Sequence, residues 1–261
     1  MALNMADLFE HAVDAFPERV ALIGGDRRLT YPELEDEANR LAHHLAAQGA
    51  GPGDHVGLYA RNSIAAVETL LAIIKLRAVA ININYRYLSG ELAYHLRDAD
   101  LSALVHDQDL AAVVDAVVPP GLPRVAIGGN GNLDEAIEAA SGARDFSPRS
   151  PDDIFIIYTG GTTGHPKGVM WRHEDIWRTL GGGIDFMTGE PLADEWEQSR
   201  RGAQAPAGMV RLCTAPLIHG AAVSLTSPSD SSPLRDCCHS SASGSPVTKS
   251  MPPPRVRQMS S

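Results

Sequence analysis

An α/β fold, with mainly parallel strands flanked by helices, is what this 261-residue sequence predicts. Three observations predict it. Apolar residues recur at helical spacing in several segments, short apolar runs lie between them, and glycine or proline marks the junctions. Strands that alternate with helices imply a mainly parallel sheet covered on both faces.

Leu8, Phe9, Ala12, Val13 and Phe16 fall on one helical face that ends before Pro17. Leu34, Ala38, Leu41, Ala42 and Leu45 make a second apolar stripe, stopped by Gly49. His55 to Tyr59 then reads as a strand, Ser63 to Leu76 as a helix and Val79 to Ile83 as a strand. Ser89 is a cap candidate for a helix through Arg97, and Ser102 to Val105 reads as a strand. A helix near Leu110 to Val117 and a strand at Arg124 to Ile127 follow. Asn132, with Glu135 three residues on, resembles a capping box for a helix to Ala140. Pro148 to Pro151 is a linker, and the apolar run Ile154-Phe155-Ile156-Ile157 is the next strand. Asp185 to Gly208 is polar and reads as a solvated surface insertion, with a substrate-facing lid as the alternative.

Composition sets bounds without choosing a function. The chain is 44% apolar and 21% charged, as in ordinary globular proteins. A net charge of −10, with no basic block to offset it, argues against a nucleic-acid partner. The most apolar stretch, Thr69 to Ile83, is interrupted by Lys75 and Arg77, so no transmembrane segment is expected. Residues 1–7 show neither the basic nor the apolar region of a signal peptide. Cys213, Cys237 and Cys238 lack C-x-x-C spacing and suggest neither a disulfide nor a zinc framework. The expected location is cytoplasmic; the oligomeric state is left open.

The chemistry concentrates in residues 158–169, Tyr-Thr-Gly-Gly-Thr-Thr-Gly-His-Pro-Lys-Gly-Val. Glycines let backbone N–H groups approach an anion, threonine hydroxyls add donors, and Lys167 supplies a mobile positive charge. Pro166 stiffens the chain just before that lysine. A Walker A loop is excluded, because Pro166 precedes Lys167 and Gly168 follows it. A dinucleotide fingerprint would open a helix, whereas Val169-Met170-Trp171 reads as a short strand. The alternative is a hairpin turn with no ligand, which does not call for so many donors and a lysine.

On these residues the chain resembles the adenylate-forming superfamily of acyl-CoA synthetases, aryl-CoA ligases, luciferases and peptide-synthetase adenylation domains. Three further collinear stretches carry the resemblance. One runs through Thr30-Tyr31, Glu33-Leu34, Asn39-Arg40-Leu41-Ala42 and Gly53-Asp54-His55-Val56. Another is Asn82-Ile83-Asn84-Tyr85-Arg86-Tyr87 with Glu91-Leu92, and the last is Pro216-Leu217-Ile218-His219-Gly220. Together they cover residues 5 to 221.

The resemblance implies an incomplete N-terminal domain over residues 1–221 and an ATP-dependent two-step reaction. A carboxylic acid attacks Mg·ATP to give an acyl-adenylate, and a thiol, usually coenzyme A, then displaces AMP. It assigns Thr159, Gly160, Gly161, Thr162, Thr163, Gly164 and Lys167 to the ATP phosphates. It also makes His219 a substrate-pocket candidate; a histidine capping a buried helix start is the competing reading. No separate metal site is implied beyond the Mg2+ that travels with ATP. The run after the loop is most similar to fatty-acyl or sterol-side-chain acyl-CoA ligases, with an aryl-CoA ligase as the nearest enzymatic alternative.

Other candidates read as structural. Arg86 is a structural ion-pair or loop-anchoring residue, His43 and His44 are solvated, and Asp152-Asp153 is a solvated turn. Trp177 stands where an H-E-x-x-H motif starting at His173 needs its second histidine. Eighteen of the last 40 residues are Ser or Pro, so 222–261 is expected to be disordered. The resemblance, in which the large domain would continue here, implies a truncation or frameshift near residue 222, with a genuine Ser/Pro-rich tail as the alternative. The family's Thr-Glu, Thr-Gly-Asp and late-lysine segments are not found, and the catalytic lysine is therefore unassigned. The expectation is a truncated chain inactive alone, and its rival is a non-catalytic fragment that binds nucleotide or a partner.

Overall fold

The computed structural model describes residues 4–159, 165–179, 183–185, 188–204, 211–213, 217 and 234–236, with the backbone alone for 179, 211–213 and 234–236. A six-stranded sheet forms its centre. Its strands are β3 (His55–Tyr59), β4 (Val79–Asn82), β5 (Ala103–Asp107), β6 (Arg124–Ile127), β7 (Ile154–Thr159) and β8 (Lys167–Arg172), in the order β6-β5-β3-β4-β7-β8. All neighbours run parallel except the edge pair β7 and β8, which is antiparallel.

Helices cover both faces, as the alternating pattern predicts. On one face lie α1 (Met5–Ala15), α2 (Tyr31–Ala47), α3 (Ile64–Lys75) and α6 (Leu133–Ala139), sharing a core around Phe9, Leu41, Ile73 and Val56. On the other, α4 (Ser89–Asp98) and α5 (Ala111–Val117), the latter through Val114, pack over Ile81, Leu104 and Ile156. Gly57, in the middle of β3, has no room for a side chain. A Cβ there would lie 2.8 Å from Leu101 Cδ1 and 3.0 Å from Leu104 Cδ1.

Local capping follows the side chains at hand. The α2 start is a reciprocal capping box: Thr30 Oγ1 accepts from Glu33 N, and the Glu33 carboxylate accepts from Thr30 N at 2.7 Å. Ser63 caps α3 by accepting from Ala66 N at 3.1 Å. Two expected caps are corrected. Ser89 is already the first residue of α4, and the Glu91 carboxylate takes the Leu88 N–H instead. Asn132 spends its side-chain oxygen on Ala126 N, 2.8 Å away, and makes no cap bond to α6.

A second sheet was not foreseen. It contains β1 (Val20–Gly24), β2 (Arg27–Thr30), β9 (Arg211–Cys213) and β10 (Leu234–Asp236), in the order β2-β1-β10-β9. Strand β10 falls inside the stretch expected to lack order; the remainder of 222–261 lies outside the described residues.

One connected network of ion pairs locks the periphery to this core. The Lys75 ammonium is fully buried, 2.5 Å from Glu10 and 2.9 Å from Glu35. Arg149 reaches Glu10 and Asp7, and Arg144 reaches Glu35, so the segment before β7 is clipped onto α1 and α2. Each charge has a partner, which is what makes its burial tolerable. The Asp185–Gly208 region is not merely solvated either. It contains α7's neighbour α8, with α7 spanning His173–Thr179 and α8 Glu197–Gln204. Helix α8 packs on α1: Ser199 is buried, Trp196 stacks on His11, and Arg19 donates to Gly202 O at 2.7 Å. Among the described residues, no helix is long and apolar enough to cross a membrane.

Candidate functional site

Strand β7 enters the sheet through buried Phe155 and Ile156 and leaves it at exposed Thr159. Strand β8 returns beside it, in the register Tyr158↔Gly168 and Thr159↔Lys167. Thr159 and Lys167 therefore stand opposite one another at the ends of the two strands, and both are exposed. Gly160, Gly161, Thr162, Thr163 and Gly164 lie outside the described residues, between these two ends.

His219 also lies outside the described residues, but Leu217 two positions earlier is placed. Leu217 is buried; its N–H donates to Asn62 Oδ1 at 2.7 Å, and its carbonyl accepts from Asn82 Nδ2 at 2.8 Å. Asn82 ends β4 and is in register with Ile157 of β7. Leu217 is thereby tethered near the carboxyl ends of β3 and β4, beside the strand that carries the hairpin. Outside the carboxyl ends of parallel strands is where open α/β sheets bind ligands.

Helix α4 braces the base of the hairpin on both strands. Tyr158 Oη donates to Asp98 Oδ2 at 2.7 Å, and Tyr94 Oη donates to the Pro166 carbonyl at 3.0 Å. The Tyr94 ring stacks on His165, with centroids 4.5 Å apart and planes 15° from parallel. Between these ties sits His95, fully buried, with its ring 4.3 Å from that of Tyr158 and 5.2 Å from that of Tyr87. Neither ring nitrogen of His95 has a hydrogen-bond partner. Burial pushes its pKa down to about 4, against the opposing pull of Asp98. The Tyr158 phenol is pushed up, first by burial and then by its bond to Asp98. Tyr94 is raised by the same two causes, in the same order.

The sequence carried no sign of this brace beyond a helix through these positions. Tyr94 and Asp98 are one helical turn apart and share a face. Nothing local says that this face meets Pro166, 72 positions away.

Several other readings are settled by contacts. Arg86 belongs to a loop, as expected: its N–H bonds Asn84 Oδ1 and its guanidinium lies over Tyr85. Asp153 is not a solvated turn residue, because it is buried under Arg77 and Asn4. His43 is half-buried, stacked on Phe146 and 3.0 Å from Asp145. Among the described residues, no group of three or more His, Cys, Asp or Glu side chains is arranged to hold a metal ion.

With this geometry in place, likeness to known proteins can be weighed. The family model described as AMP-binding enzyme matches residues 9–255. The 3-oxocholest-4-en-26-oate–CoA ligase of Rhodococcus rhodochrous is 52% identical over 235 residues, covering 85% of this chain and 42% of that protein. The medium/long-chain-fatty-acid–CoA/3-oxocholest-4-en-26-oate–CoA ligase of Mycolicibacterium smegmatis is 49% identical over 239 residues, covering 87% of this chain and 43% of that protein. The crystal structure of ATP-bound MatB from Rhodopseudomonas palustris is similar with a TM-score of 0.73 at 26% identity, over 90% of this chain and 45% of that one. The chain spans less than half the length of these relatives.

Proposed function

The chain belongs to the AMP-binding enzyme family, and on that premise we propose that its β7–β8 hairpin is the ATP phosphate grip of an AMP-forming acid–thiol ligase. The observation that carries this reading is the placement of Thr159 opposite Lys167 at the exposed ends of two braced strands. Between them the sequence supplies Gly160, Gly161, Thr162, Thr163 and Gly164. Backbone N–H groups and threonine hydroxyls would bind the β- and γ-phosphate oxygens, and the Lys167 ammonium would offset their charge. Mg2+ would arrive bound to the phosphates of ATP.

The reaction is an acyl transfer through phosphate. A carboxylate oxygen attacks the α-phosphorus, the bond to the bridging oxygen breaks, and pyrophosphate leaves. The coenzyme A thiolate then attacks the acyl carbon, and AMP departs with the electron pair of the broken C–O bond. Charge develops on the leaving pyrophosphate in the first step, so fixed donors and a cation around it favour that step. His219 borders the acid pocket in this reading, supported by the anchoring of nearby Leu217 beside β7.

The acid is a fatty or sterol-derived carboxylic acid, a choice supported by the names of the two ligases about half identical to this chain. A cytoplasmic location goes with ATP and coenzyme A as substrates. By itself the hairpin is expected to bind phosphate without turnover. Orientation of the remaining reactants is worth about 7–11 kcal/mol in well-oriented reactions.

Equilibrium binding of Mg·ATP to the chain and to Lys167→Ala tests the grip. Loss of binding in the variant is expected, and unchanged binding would overturn the assignment. ATP–pyrophosphate exchange with a panel of sterol-side-chain, fatty and aryl acids then tests the chemistry. Exchange with none of them favours the non-catalytic nucleotide-binding reading, and exchange with aryl acids alone favours an aryl-CoA ligase.

A further inference from the structure

We propose that α4 positions the phosphate hairpin, with Tyr94 and Asp98 each fixing one of its two strands; the inference rests on the phosphate reading of that hairpin. Strand β8 is the edge of the sheet and pairs only with β7 among the described strands. Beyond Ile157, the last β7 residue in register with β4, the hairpin is a two-stranded ribbon, which by itself is marginally stable. Its end needs an outside brace if two exposed side chains are to keep a set separation.

Each tie lies one residue before a phosphate-binding residue. Tyr158, bonded to Asp98, precedes Thr159; Pro166, whose carbonyl accepts from Tyr94, precedes Lys167. The Pro166 ring fixes φ, so holding its carbonyl also fixes the direction in which the chain enters Lys167. The stacked Tyr94 and His165 rings oppose sideways movement of the same strand. Because both ties start from one turn of one helix, the hairpin stems cannot separate without breaking one of them. His95, packed between Tyr87 and Tyr158 with no polar partner, acts as a rigid spacer under the stems.

Preorganisation of this kind shows as affinity, because a loose loop must lose its freedom on binding. Tyr94→Phe keeps the stacked ring and removes the hydroxyl, which bonds Pro166 and interacts with Asp98. Asp98→Ala removes the acceptor of Tyr158, and Asp98→Asn restores one. Binding of Mg·ATP and of inorganic tripolyphosphate to the whole chain is the first readout. Hydrogen exchange at the Gly168, Val169 and Met170 amides is the second.

Tyr94→Phe and Asp98→Ala are expected to weaken both ligands about 10-fold, a change of about 1.4 kcal/mol. They are also expected to speed exchange in β8, with Asp98→Asn recovering most of both losses. Exchange that stays at the wild-type rate in Tyr94→Phe and Asp98→Ala overturns the brace, whatever the ligand does. If both variants bind tripolyphosphate normally while Lys167→Ala does not, the brace is wrong and the phosphate reading stands. If Lys167→Ala binds normally while β8 exchange rises in Tyr94→Phe, the phosphate reading fails and α4 braces a hairpin of another purpose.

Discussion

Arg77 holds a left-handed backbone, φ 60°, and its guanidinium meets both carboxylate oxygens of Asp153 at 2.9 to 3.2 Å. A side chain in that conformation costs about 1–2 kcal/mol, which the turn between α3 and β4 would avoid with glycine. The ion pair offsets the cost, because Asp153 is the last residue before β7 and is nearly buried. It also accepts from Asn4 Nδ2 at 2.9 Å and from Ser150 N at 3.2 Å. One carboxylate thus joins the start of α1, the α3–β4 turn and the entry to the hairpin strand. Asp153→Ala is expected to destabilise the fold by about 3 kcal/mol, since it leaves the partly buried Arg77 unpaired. Arg77→Gly should cost less, because it relieves the backbone strain as it removes the pair. Urea denaturation of both variants checks the order.

This pair also shows where sequence reading stops. Asp152-Asp153 looks the same whether solvated or buried; only the approach of Arg77, 76 positions earlier, decides it. The stretch from β3 to β4 was legible because its apolar runs are bounded by Ser63 and Gly53 and need no distant partner. Strands β9 and β10, three residues each, were not, because the pairing of β10 with β1 and of β9 with β10 is what makes them strands. The hairpin announced itself through composition, with glycines, threonines and a lysine gathered after an apolar run. Its brace did not, because Tyr94 and Asp98 are ordinary helix-surface residues until the fold brings Pro166 and Tyr158 to them.

Glu68 carries a second testable consequence. It lines a cleft of about 650 Å³ between the β1–β2 turn, the start of α3 and α6, and its Oε1 has no hydrogen-bond partner. Burial, then the neighbouring Glu37, push its pKa from the ordinary 4.5 up to about 9. Folding therefore takes up a proton. The associated stability is fully present below pH 4.5 and is lost as pH rises through 9. Glu68→Gln, uncharged at every pH, should be more stable than wild type by about 2–3 kcal/mol at pH 7, with the advantage vanishing near pH 4.5. Paired urea titrations at the two pH values read the difference. A constant difference would mean that Glu68 is charged in the folded protein.

Two buried histidines produce the opposite slope. His95 and His173 are both held near pKa 4, chiefly by burial, below the ordinary 6.5. His173 Nδ1 accepts from Met5 N at 3.4 Å, while its Nε2 has no partner. A depressed histidine pKa leaves stability intact above pH 6.5 and removes it as pH falls toward 4. Each should cost about 2 kcal/mol at pH 5, and Glu68 would mask much of that loss in the wild type. The clean measurement uses the Glu68→Gln background, where stability should drop by about 4 kcal/mol between pH 7.5 and pH 5. Adding His95→Phe should halve the drop.

Gly168 tests whether the hairpin and its brace move together. It faces Tyr158 across the ribbon, and a Cβ there would lie 3.0 Å from Ile156 Cγ2 and 3.4 Å from two Tyr158 ring atoms. Ile156 is buried in the core and has little room to yield. Tyr158 can yield, but only by leaving His95 and straining its bond to Asp98. Otherwise β8 itself shifts outward and carries Lys167 away from Thr159. Gly168→Ala is therefore expected to cost about 1 kcal/mol, and Gly168→Val up to about 3, typical of overpacking. Both should weaken tripolyphosphate binding in the same order. Tyr158→Leu removes the ring that the new methyl meets, so its combination with Gly168→Ala should lose less stability than the two single losses add up to. Additive melting shifts would place the strain on Ile156, and a methyl that moves neither Tyr158 nor β8 gives Lys167 no reason to let go of phosphate.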